Sequence, residues 1–99
     1  MKEKLYMMLI EKSKTYNRLT KKVVTEHVEH IRKLDDEGKL KICGVFKGYP
    51  GMAGMYILKT DSREEAEELC KTEPLVIGGY ATYKLVDFQV ANRENNYLL

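Results

Sequence analysis

KLYMMLIEK, residues 4–12, is apolar on both of its alternating faces: Leu5, Met7 and Leu9 lie on one, and Tyr6, Met8 and Ile10 on the other. No helical period runs through it, so it reads as a strand covered on both sides. The polar connection KSKTYNR follows. Beyond it, Thr20 or Thr25 can cap a helix carrying Leu19, Val23, Val24, Val28, Ile31 and Leu34 at helical spacing, until Gly38 stops it. KICGVFK (41–47) and GMYILKT (54–60) are β-rich runs around YPGMAG, in which Pro50-Gly51 suits the central positions of a type II turn. They predict a hairpin. Asp61 or Ser62, followed by REEAEELCK, opens a second helix with acids in the first turn, where they meet the positive end of the helix dipole. Glu73-Pro74 closes that helix, and TYKLVDFQV (82–90) alternates as a last strand before the tail ANRENNYLL.

The order βαββαβ predicts an α+β, ferredoxin-like fold: a four-stranded antiparallel sheet with both helices on one face. One domain is expected over residues 1–99, with its core at about 4–91 and a tail at 92–99. Helices on one face leave the other open. A chain this short has nothing left to cover it, so the two-sided first strand predicts a homodimer packed sheet to sheet.

Hydrophobic residues make up 43% and charged residues 32%, a globular profile. The 17 basic and 15 acidic residues are mixed, so the net charge of +2 demands neither nucleic acid nor an acidic membrane as partner. The apolar run Leu5–Ile10 is too short for a signal segment or a bilayer span, which predicts a cytoplasmic protein without a membrane partner. Cys43 and Cys70 fit no disulfide framework or metal motif and read as reduced packing residues. Tyr6 and Tyr56, on adjacent central strands, have the placement of an RNA-stacking platform, but the basic and aromatic signature of such a sheet is absent.

Chain direction gathers three connections at one end of this fold: residues 13–20, the hairpin turn 47–54 and the segment 71–79. Convergent loops, one of them glycine-rich, are where a pocket forms. A glycine-lined phosphate cradle is the weaker reading of KGYPGMAG, which matches no nucleotide motif and leads into a strand. Both histidines lie on the first helix. His27 falls inside its apolar stripe, whereas His30 sits about 60° to the side and reads as a flanking surface residue. Asp36 lies roughly opposite His27 at the far end of the helix, which leaves Glu73 as the acid able to meet the imidazole. An inward histidine is also an ordinary packed core residue, so spacing alone leaves both readings open. The pair His27-x-x-His30 has workable metal geometry but no evident third ligand, and no metal is expected.

His27 with Leu34, Asp36-Glu37-Gly38 and Leu40, Gly44, S-x-E-E-A (62–66), Glu73-Pro74 and Gly79 together resemble the pattern of the YCII-related proteins over about residues 5–90. Glu73 stands where that family has Asp, and Val45 where proline commonly follows the strand glycine. The resemblance implies a dimeric α+β barrel similar to the muconolactone-isomerase group. It also implies a His–acid pair, His27 and Glu73 by position, performing general acid–base chemistry without a cofactor. Elimination, isomerisation or hydrolysis of a small oxygenated ring compound is the activity implied, with a non-catalytic ligand-binding or interaction module as the alternative. Gly44, Pro74 and Gly79 from the pattern, with Tyr49 from the hairpin turn, are the expected substrate-binding residues.

Overall fold

Tyr49-Pro50-Gly51-Met52 closes the hairpin as a type II turn: the Met52 N–H donates to the Tyr49 carbonyl at 3.2 Å, and Gly51 adopts φ 81°, a conformation costly to any residue with a β-carbon. The computed structural model describes residues 3–99. Its strands are β1 (Leu5–Lys12), β2 (Leu40–Val45), β3 (Met52–Lys59) and β4 (Ala81–Phe88), with helices α1 (Lys21–Asp36) and α2 (Arg63–Lys71) in the expected order. A third helix, α3 (Pro74–Ile77), occupies one turn between α2 and β4 that the sequence reading left irregular. The hairpin strands begin and end slightly earlier than the apolar runs suggest.

All strand pairs are antiparallel, in the order β2-β3-β1-β4. This is the α+β, ferredoxin-like sheet expected, with β1 and β3 at its centre. Thr20 caps α1 by accepting from the Val23 N–H at 3.2 Å, and Ser62 caps α2 by accepting from the Glu65 N–H at 3.1 Å. One sheet face carries Tyr6, Met8, Ile10, Tyr56, Leu58 and Leu85, which join Leu34, Ala66, Cys70 and Leu75 of the helices in the core. Tyr6 and Tyr56 thus project beneath the helices and offer no stacking surface to a nucleic acid. Cys43 and Cys70 are both free thiols.

The register places Leu5, Met7 and Leu9 of β1 between Ile57 and Met55 of β3 and Phe88 and Val86 of β4 on the opposite face. Part of that face is open: Ile42 is 58% exposed, and Val86 and Phe88 are exposed as well. Among the described residues, no helix is long and apolar enough to cross a membrane.

The three connections predicted to converge are tied together by hydrogen bonds. The Lys12 N–H donates to the Gly51 carbonyl at 2.8 Å, and the hydroxyls of Ser13 and Thr15 donate to the Gly79 carbonyl at 2.7 and 3.0 Å. This lacing fixes the end of the sheet against which α1 and α3 lie.

Candidate functional site

Pro74 biases the residue before it toward extended backbone, and Glu73 sits there at φ −66°, ψ 122°. The extended residue breaks α2 and becomes the N-cap of α3, with Pro74 at the first helical position, where its missing N–H costs nothing. Glu73 Oε1 accepts from the Leu75 N–H at 3.2 Å. The side chain is driven under α1 and is 0% exposed.

A carboxylate so buried must be satisfied on every side. His27 Nδ1 donates to Oε1 at 2.7 Å. The Tyr56 hydroxyl donates to Oε2 in a short hydrogen bond and itself lies 3.3 Å from His27 Nδ1. His30, one helical turn along α1 on the same face, brings its Nδ1 to 3.2 Å from Oε2. Its imidazole is only 11% exposed, against 21% for that of His27, which corrects the reading of His30 as a flanking surface residue. The Tyr56 ring stands nearly parallel to both imidazoles, with centroids 6.3 and 6.4 Å away.

Burial opposes ionisation of Glu73, but the hydrogen bonds from His27 and Tyr56, with the His30 ring close beside it, outweigh it and hold the carboxyl at about 2. Burial, and then the Glu73 charge beside it, push the Tyr56 phenol far above its usual value, so it remains a neutral donor. Because the folded Glu73 value is depressed below the ordinary glutamate value of about 4.3, its stabilising contribution is complete above that pH and is lost as pH falls toward 2. The contribution amounts to about 3 kcal/mol. Urea unfolding of the wild type and Glu73→Gln across this range should show their stability gap closing below about pH 4. A gap unchanged from about pH 6 to about pH 2.5 would contradict the ionised-carboxylate assignment.

The His27 ring forms part of the wall of a cavity of about 100 Å³, with Tyr16, Cys43, Gly44, Tyr56 and Leu75. Gly44 and Gly54 meet here so closely that a β-carbon on Gly54 would collide with the Gly44 carbonyl oxygen. Since Nδ1 of His27 is spent on Glu73, Nε2 is the nitrogen without a protein partner among the described residues. The neutral ring therefore carries its proton on Nδ1 and its lone pair on Nε2.

Of the other expected binding residues, Tyr49 is 57% exposed and packs at a tilt against Phe46, Pro74 starts α3, and Gly79 serves the loop lacing. None of these three lines the cavity. A larger hollow of about 940 Å³ lies at the opposite end of β1, bordered by Glu3, Lys41, Asp87 and Asn95, but holds no histidine and no buried charge. The small cavity is the one that His27 and Tyr56 border.

Tyr56 and His30 are the members of this cluster that sequence reasoning did not place in the site. The i,i+3 spacing of the histidines was visible, but not the turn under α1 that buries the second one.

Fold and site together define a ferredoxin-like α+β protein with a buried carboxylate presenting a histidine to a small cavity. The chain belongs to the YCII-related family, whose domain matches residues 4–89. It is 31% identical over 85 residues to YjpA, an uncharacterised protein of Bacillus subtilis strain 168, covering 86% of this chain and 94% of that protein. Among solved structures it is similar to 5-chloro-2-hydroxyhydroquinone dehydrochlorinase (TftG) from Burkholderia phenoliruptrix AC1100, in complex with 2,5-dihydroxybenzoquinone. The TM-score is 0.71 at 12% identity, over 86% of this chain and 93% of that one. At that identity the likeness is one of fold.

Proposed function

We propose that this protein is a small-molecule enzyme in which His27 acts as general base and acid on an oxygenated ring compound. The observation that carries this reading is the 2.7 Å hydrogen bond from His27 Nδ1 to the fully buried Glu73, with the same imidazole on a cavity wall. Glu73 fixes the tautomer and stabilises the imidazolium that forms when Nε2 takes a proton. The proton comes from a carbon beside a carbonyl, whose electron pair then moves onto the carbonyl oxygen, or from a ring hydroxyl, whose oxygen then pushes a pair into the ring. His27 returns the proton to another carbon or to a group that departs with its bonding pair. A volume of about 100 Å³ is small against the ~300–1,000 Å³ of drug-sized sites, which suits a single-ring compound or a smaller one. The dehydrochlorinase of the same fold, which acts on a chlorinated hydroxyhydroquinone, supports this substrate class.

The test is a thermal-shift and turnover screen with hydroxylated ring ketones, quinols and lactones, run on the wild type and His27→Ala. Turnover lost with His27 supports the reading. Turnover that survives His27→Ala overturns it, and stabilisation by a ligand without turnover assigns a binding module instead.

The working unit in this proposal is a homodimer, because Ile42, Val86 and Phe88 leave apolar area exposed on the sheet face away from the helices. Light scattering at micromolar concentration should return twice the chain mass, and Val86→Glu should halve it. A wild-type monomer under those conditions removes the dimer from the proposal.

A further inference from the structure

We infer that His30 carries a proton on both ring nitrogens and is the buried counter-ion of Glu73, a positioning residue that leaves His27 neutral. Thr72 lies at the C-terminal end of α2. Its hydroxyl has one proton, and the shorter of its two contacts, 2.7 Å to the Leu69 carbonyl against 3.0 Å to His30 Nε2, assigns it to the carbonyl. Toward His30 Nε2, 3.0 Å away, the same oxygen can only accept, so Nε2 carries a proton.

The other nitrogen, Nδ1, is buried and lies 3.2 Å from Glu73 Oε2, off the line of a directed hydrogen bond. Without a proton it would set a lone pair against the carboxylate with no water between them. With a proton it sets a positive charge there. A buried carboxylate stabilises the second arrangement strongly and penalises the first.

The groups facing this pair come from three elements: His27 from α1, Tyr56 from β3, and Thr72 and Glu73 from the link between α2 and α3. Tyr56 gives its proton to Glu73, and His27 and His30 are the basic partners of Glu73 among the described residues. One negative charge needs one positive charge. If His30 supplies it, His27 keeps a free lone pair on Nε2 and can act as a base. This last step rests on the function proposed above, whereas the charge of His30 does not.

The chain has two histidines, so nitrogen-15 labelling of histidine and long-range proton–nitrogen correlation at neutral pH reads both rings directly. Contacts between the His30 ring and Thr72 assign the signals without a variant. The expected spectrum has two protonated-type nitrogens for His30, and one protonated-type Nδ1 with one pyridine-type Nε2 for His27. In His30→Gln, the remaining histidine is expected to gain the second proton at the same pH, and the activity optimum to move to higher pH. A merely structural role for His30 would lower activity without moving that optimum, and would count against the positioning role. A pyridine-type nitrogen in His30 of the wild type overturns the inference and leaves the base role of His27 standing. Two doubly protonated rings would uphold the inference and sink the base role.

Discussion

Glu73→Ala is expected to destabilise the fold by about 3–5 kcal/mol, the range for removing one partner of a buried charged cluster. In a domain of this size that lowers the unfolding midpoint by roughly 15–30 °C. The cost arises from what is left behind: the Tyr56 hydroxyl, the Leu75 N–H and His27 Nδ1 lose their acceptor at once, and His30 loses the carboxylate beside its ring. Glu73→Gln keeps the shape and one acceptor oxygen, so it should cost about 1–3 kcal/mol. Calorimetry or urea unfolding of the two variants at neutral pH measures both values. A loss below about 1 kcal/mol for Glu73→Ala would mean that water or side-chain rearrangement satisfies the cluster without the carboxylate.

Under the proposed function, His27→Ala is expected to have the opposite profile, a large effect on turnover and a modest one on stability. Removing a general base typically lowers turnover by about 10²–10⁴. The carboxylate keeps Tyr56, His30 and the Leu75 N–H as partners, so stability should fall by less than in Glu73→Ala. Added imidazole, small enough to enter the space vacated by the side chain, is expected to restore part of the rate. Steady-state kinetics with and without imidazole, alongside thermal unfolding, separate the two effects. Turnover within about tenfold of the wild type, with no response to imidazole, would remove His27 from the reaction.

The site was legible only in part, for reasons that can be assigned to particular residues. The inward angle of His27 follows from helical periodicity, and the turn at Glu73-Pro74 follows from the backbone restriction proline places on its predecessor. These local rules, with the order of the loops, were enough to expect the two side chains in one place. Tyr56 could not be oriented in the same way. In β3 the faces of Tyr56 with Leu58 and of Met55 with Ile57 are both apolar, so alternation identifies two sets of residues without saying which set faces the helices. His30 was misplaced because its angle, measured against the stripe of α1 alone, points to the flank. The flank is where the Thr72-Glu73 segment comes to lie.

The sequence by itself determined the succession of strands and helices, the caps to within a choice of Thr20 or Thr25 and of Asp61 or Ser62, the turn at Pro50-Gly51 and the antiparallel ferredoxin-like topology. Each of these depends on residues close together in the chain or on the short lengths of the connections. Only the tertiary structure decided that Glu73 accepts from His27, Tyr56 and the Leu75 N–H, with the His30 ring 3.2 Å away. Nor could the sequence decide that His30 is largely covered rather than exposed, or that Tyr49 and Gly79 stand away from the cavity. Those outcomes depend on where α3 rests against α1 and on which face of β3 lies beneath it. Both are set by packing between residues as many as 46 positions apart, such as His27 and Glu73, which no local pattern encodes.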